Sequence, residues 1–137
     1  QAENLGVITY SPLGGGLLTG KYGADHRPPS GRLVEDEIYQ IRYGAEWMYQ
    51  VAGRFARFAE ENGFSPAALA VAWVGSHPAV TAPIIGARNV DQLEDSLDAA
   101  EIKMTPALRA RISALSPAPP SATDRNEERT SVNYGVR

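Results

Sequence analysis

Apolar residues follow two rhythms along this chain. Leu5 to Tyr10 (LGVITY) and Val80 to Gly86 (VTAPIIG) are nearly continuous apolar runs. Short unbroken runs of this kind predict parallel strands covered on both faces. Between them the spacing turns helical. Glu35 to Gly63 has helical composition, clearest from Trp47 to Asn62, where Val51, Phe55, Phe58 and Ala59 share one face and Arg54, Arg57, Glu60 and Glu61 lie on others. Asn62-Gly63 supplies the stop. Ser65-Pro66 then reads as an N-cap followed by proline at the first helical position, opening a helix from Ala67 to Val74 that is apolar nearly all round and therefore predicted to be buried against something large.

The second strand runs into Asn89, an N-cap with Gln92 three residues on, and Asp91, Glu94 and Asp95 follow in the first turns, where the helix dipole favours acids. Leu93, Leu97 and Ala100 are the expected buried stripe of this helix. Thr105-Pro106 opens the last one, with Leu108, Ile112 and Leu115 apolar. Strand, long connection, two helices, strand and two helices make an α/β order that fits a barrel or a doubly wound sheet. Residues 1–116 read as one unit and 117–137 as a Pro-rich polar tail, expected to be disordered when unpartnered.

Composition narrows the function classes. The 137-residue chain carries a net charge of −3, against the basic excess of a nucleic-acid surface. It has no cysteine, which excludes disulfides, thiolate metal sites and cysteine nucleophiles and fits a cytoplasmic protein. No signal peptide and no apolar run long enough to span a membrane is present. The chain opens at Gln1 and its first methionine is Met48, the expectation for a fragment or a processed product.

The densest chemistry lies where the first strand ends. Thr9 to Tyr22 reads TYSPLGGGLLTGKY: an aromatic, a hydroxyl, three bare glycines and a cation. Backbone without Cβ atoms allows close approach, and this set suits a phosphorylated ligand. As a lone glycine-rich loop it reads first as a flexible turn, since it matches neither the dinucleotide fingerprint nor the P-loop. Gly23 to Leu33 reads as a loop, in which Arg32 either reaches back to a phosphate or is simply solvated. Arg88 stands just before the Asn89 cap, and a cation at a helix N-terminus makes an anion site. His26 and His77 sit in loops without carboxylate or histidine partners at ligand spacing and read as loop residues.

Tyr-Ser-Pro-Leu-x-x-Gly-Leu-Leu-Thr-Gly-Lys-Tyr resembles the segment after the seventh strand in NADP-dependent aldo-keto reductases. Pro83-Ile84-Ile85-Gly86-Ala87-Arg88-Asn89-Val90-Asp91-Gln92-Leu93-Glu94-Asp95-Ser96 is similar to a second signature of that family. The resemblance reaches to about Pro117. It implies the last two βα units, with flanking helices, of a partial (β/α)8 TIM barrel.

The resemblance also implies site roles for NADP(H). Tyr10 would stack on the nicotinamide, and Ser11, Pro12, Leu13 and Gly14 would line the pyrophosphate. Lys21 and Arg32 would neutralise phosphates, Gly86 would permit close approach, and Arg88 would pair with the 2′-phosphate. Gln92, Asp95 and Ser96 would face the adenosine, Ser96 standing where the family usually has Asn. The family's catalytic Tyr, Lys, Asp and His lie on earlier strands, so no catalytic residue is assigned here and the chain alone is expected not to reduce carbonyls. A full barrel takes about 250 residues, and a two-strand piece leaves sheet edges unpaired. The implied partners are therefore NADPH and either a missing N-terminal barrel half or a second copy, with no nucleic acid and no membrane. Two other readings stay open. Some family members are channel-associated subunits, which allows a non-catalytic nucleotide-binding or regulatory module, and the chain could also be an inert truncated fragment.

Overall fold

The computed structural model describes residues 5–118, so the expectations for Gln1 to Asn4 and for most of the Pro-rich tail lie outside the described residues. The regular strands are β1 (Ile8–Thr9) and β2 (Ala82–Pro83), paired in parallel with Ile8 opposite Ala82 and Thr9 opposite Pro83. Hydrogen bonding continues past these four residues, since Thr81 N–H donates to the Val7 carbonyl at 2.8 Å and Ile84 N–H to the Thr9 carbonyl at 2.7 Å. The two predicted apolar runs do pair, yet each is shorter than predicted. They are also not covered on both faces: Leu5, Ile8 and Tyr10 are 77%, 66% and 74% exposed. A parallel strand is normally sheltered by neighbouring strands and crossover helices, and one pairing supplies neither fully.

The crossover from β1 to β2 holds a one-turn 3-10 helix at Gly14–Gly16 and four α-helices. Breaks at Asp36 and Gly44 divide the predicted 35–63 helical region. Helix α1 (Arg32–Glu35) and α2 (Glu37–Tyr43) meet at Asp36, whose carboxylate caps α2 by accepting the Ile38 and Tyr39 N–H groups. Helix α3 (Glu46–Glu61) ends as its sequence predicts. Gly63 takes φ +73°, its N–H bonds the Glu60 carbonyl, and the Phe64 N–H bonds the Ala59 carbonyl at 2.9 Å, the paired bonds of a Schellman stop.

Helix α4 (Pro66–Gly75) is the centre of the structure. Ser65 caps it by accepting the Ala68 N–H, and Ala67 to Val71 are all buried. Leu69, fully buried, packs with Phe55, Ala59, Ala70 and Ile112; a second cluster joins Leu17, Tyr22, Leu33, Tyr49 and Ala52. One long helix, α3, contributes to both clusters. After β2 come α5 (Val90–Leu97), a 3-10 turn at Asp98–Glu101 and α6 (Pro106–Ser113), which Thr105 caps. Trp73 Nε1–H donates to Ser113 Oγ and Arg109 to the Trp73 carbonyl, tying α6 to α4.

The expected stripe on α5 is corrected. Leu93 is 40% and Leu97 54% exposed, Ala100 is exposed as well, and the buried residue of the helix is Ser96. Only α4 flanks α5 closely, so the helix turns its small polar side inward and the leucine stripe has nothing in the described residues to pack against. No helix among the described residues is long and apolar enough to cross a membrane.

Candidate functional site

The strand-to-loop turn after Tyr10 is built around a strained residue. Ser11 takes φ +55°, the single positive φ outside glycine among the described residues, a cost that persists only where surrounding structure enforces it. Gly14 N–H then bonds the Ser11 carbonyl and Gly16 N–H the Leu13 carbonyl, so the triple-glycine stretch is an ordered turn. Gly14, Gly15 and Gly16 all have positive φ, which glycine adopts without a Cβ clash.

The bare backbone at Gly15 has an occupant of its own. A Cβ there would lie 2.6 Å from Tyr39 Cδ1, so the α2 tyrosine rests against the loop. Tyr43, one turn later, lies near Gly14, with its ring centroid 6.1 Å from that of Tyr39. Burial raises the Tyr43 pKa, the neighbouring Arg42 opposing, and Tyr10 is close enough to act on it. Arg32 stacks on the other tyrosine, its guanidinium 4.9 Å from the Tyr39 ring centre and its Nη1 3.3 Å from the hydroxyl. Sequence reasoning missed Tyr39 and Tyr43; their i, i+4 spacing on a short helix just after the glycine loop was the available signal.

A second group gathers at the far end of the same loop. Tyr22 is 2% exposed and its ring packs at 6.1 Å on Tyr49. Its hydroxyl is buried; the Leu33 backbone amide is near enough to act on the oxygen, but no acceptor for the hydroxyl proton is present among the described residues. Gly31, buried at φ +136°, brings its bare Cα against that hydroxyl: a Cβ would sit 2.8 Å from Tyr22 Oη and 3.8 Å from Lys21 Nζ. Burial raises the Tyr22 pKa; the Leu33 backbone amide and the Arg88 charge oppose it, while Glu35 adds to it.

The predicted residues divide accordingly. Lys21 lies beside Gly31 while the Arg32 guanidinium turns to Tyr39, and among the described residues the only salt bridge joins Arg27 to Glu46, so Lys21, Arg32 and Arg88 have no carboxylate partner there. Tyr10 offers an exposed ring. Gly86 is exposed, with nothing within 4 Å of a Cβ position, so the chain's own packing does not require a glycine there. Gln92 is exposed, its Oε1 accepting the Arg88 N–H at 3.1 Å while its own N–H bonds the Asn89 cap. Asp95 is half-buried on the same helix and Leu13 and Gly14 are half-buried in the turn.

Two of the predicted residues are buried. Pro12 is buried and, lacking an N–H, offers no donor. Ser96 is 3% exposed and its hydroxyl donates back to the Gln92 carbonyl at 2.9 Å, so it is turned into the protein and away from a ligand on the helix surface. It lines an apolar cleft of about 390 Å³ between α4, β2 and α5, which holds no charged side chain and none of the other predicted residues. His77 accepts the Ala79 N–H at Nδ1 and shapes its turn.

Bare backbone, a strained serine and three cations without a carboxylate partner among the described residues are groups suited to a phosphorylated ligand. Lys21, beside the bare backbone of Gly31, has the charge a phosphate group requires. Residues 1–117 match the model of the aldo/keto reductase family. The chain is 35% identical over 119 residues to an uncharacterized oxidoreductase of Bacillus subtilis, covering 87% of this chain and 34% of that protein. It is 38% identical over 108 residues to an uncharacterized oxidoreductase of Mycobacterium tuberculosis, with coverages of 77% and 32%. A probable voltage-gated potassium channel subunit beta of Oryza sativa is 31% identical over 125 residues, with coverages of 88% and 38%. The chain spans about a third of the length of these curated relatives.

Proposed function

Since the chain belongs to the aldo/keto reductase family, we propose that it is an NADP(H)-binding segment of an oxidoreductase that reduces aldehydes or ketones to alcohols. The observation that carries this reading is Lys21 beside the bare backbone of Gly31, with Arg32 next in sequence and Arg88 just before the Asn89-capped helix, none of the three paired with a carboxylate among the described residues. Family membership is coarser support, through the oxidoreductase relatives and through the (β/α)8 barrel that the family implies. Two parallel strands joined by a helical crossover are consistent with part of such a barrel.

In this reading Tyr10 supplies an exposed ring for the nicotinamide, and Ser11 to Gly14 shape the turn beneath the diphosphate. Lys21 and Arg32 balance its charge. Arg88 meets the 2′-phosphate, and Gln92 holds the Arg88 backbone while presenting its amide to the adenosine. The bound cofactor supplies a hydride for carbonyl reduction. Arg32 must leave the Tyr39 ring to reach a phosphate. The chain's own part is to bind and orient, with proton donation left to residues beyond its barrel units. A cytoplasmic location belongs to the same reading.

A second reading is favoured by the likeness to the channel subunit: nucleotide binding without turnover, in a module that regulates a partner. Fold alone does not choose between the two. The test common to both is whether the purified chain binds NADPH in preference to NADH. Binding with no carbonyl reduction by the chain alone is the outcome expected of either.

A further inference from the structure

On the reading that the cation cluster takes a phosphate, we propose that Tyr22 is a further ligand-binding residue, its buried hydroxyl donating a hydrogen bond to the phosphoryl oxygen that Lys21 holds. A buried hydroxyl without a partner is costly, and native structures leave few of them. Tyr22 Oη is one of two such side-chain atoms among the described residues, the other being Thr9 Oγ1 at the strand end. Its surroundings differ from those of an ordinary core tyrosine. The ring is fixed by Tyr49, whose opposite partner is the Arg27 guanidinium at 4.0 Å from the ring centre, so the phenol oxygen has little freedom to seek another acceptor.

What borders the hydroxyl is suited to an anion. Gly31 contributes only backbone, Lys21 places its ammonium 5.4 Å from the Tyr22 ring centre, and Arg88 is near enough to act on the phenol. Glu35 is the one carboxylate near enough to act on it as well. Lys21 is exposed, so its ammonium is the group a phosphate arriving from solvent meets first, and in this assignment the loop gives way enough for that phosphate to reach the phenol as well. The phenol then donates where the ammonium neutralises. A hydrogen bond to a charged oxygen in a sheltered site is among the stronger kinds, and a donor whose cost is already present in the free protein gains its partner only when ligand binds.

Tyr22→Phe tests this because the two roles a tyrosine can play give opposite signs. Thermal unfolding of the ligand-free chain and calorimetric titrations with NADPH, NADH and inorganic pyrophosphate are compared for wild type and variant. We expect the variant to melt no lower than wild type, since the unpartnered group is gone, while phosphate-ligand affinity falls about ten- to a hundredfold. Loss on all three ligands puts the hydroxyl on the diphosphate, and loss on NADPH alone puts it on the 2′-phosphate; both support the assignment. A variant that binds every ligand as wild type does overturns it and leaves the nucleotide reading standing. A wild-type chain that binds none of the three overturns that reading and the Tyr22 assignment together.

Discussion

The Arg27 guanidinium lies 4.0 Å from the centre of the Tyr49 ring and is held there by Glu46, one helical turn earlier, at 2.6 Å. That contact straps the Gly23 to Gly31 loop to α3, and Gly23 and Gly53 reinforce it by bringing their Cα atoms close together. The loop ends carry Lys21 and Arg32, so the strap sets how far apart these two cations stand.

Arg27→Ala should cost about 1 kcal/mol of stability, the scale of an exposed cation–π contact with a partly exposed ion pair. It should also expose the loop to proteolysis between Gly23 and Arg32. Denaturant unfolding and limited proteolysis measure the two effects, and Arg27→Lys should recover only part of each, because an ammonium does not stack as a guanidinium does.

Gly31→Ala should be more damaging than its size suggests. Its φ of +136° disfavours any Cβ, and the methyl would meet Tyr22 Oη at 2.8 Å. A loss of roughly 1–3 kcal/mol is expected from backbone strain of this kind, accompanied by weaker NADPH binding. A denaturant melt and a nucleotide titration on the same variant check both.

Leu69→Ala removes a fully buried side chain from the centre of the larger cluster and should cost about 2–5 kcal/mol. Ser65→Ala, which deletes the cap on the Ala68 N–H, should cost about 1 kcal/mol. Urea midpoints for the two variants should rank in that order.

Stability should decline as the pH rises past the ordinary tyrosine range. Burial raises the pKa of both Tyr22 and Tyr43 above the ordinary tyrosine value of 10.0, so the folded state holds these protons when the unfolded chain has released them. The stabilisation is complete below about pH 10 and is lost as pH climbs through the higher folded values. Tyr22→Phe and Tyr43→Phe should each flatten the alkaline limb of a stability profile measured by denaturant unfolding.

Local chemistry was legible from the sequence, and tertiary cover was not. The caps at Ser65, Asn89 and Thr105 and the stop at Gly63 were readable because they depend on neighbouring residues alone, and each hydrogen bond is present. The α5 stripe was misread because Leu93 and Leu97 are buried only if something packs on them, a fact held elsewhere in space. The burial of Pro12 and Ser96 was unreadable for the same reason, since motif position says nothing of which way a residue faces once α4 and the loop are in place. The Tyr22 hydroxyl was invisible for the opposite reason: only coordinates show a buried group that lacks a partner.

The central claim is that Arg88, together with Lys21 and Arg32, forms a site for a 2′-phosphorylated nucleotide. Titrating the purified chain with NADPH and with NADH, followed by intrinsic tryptophan and tyrosine fluorescence, tests it directly, with Arg88→Ala beside wild type and a thermal melt on each. The account predicts tighter binding of NADPH than of NADH, with Arg88→Ala weakening NADPH about tenfold or more and leaving NADH nearly unchanged. A cooperatively folded chain that binds neither nucleotide, or binds both equally with and without Arg88, would contradict it.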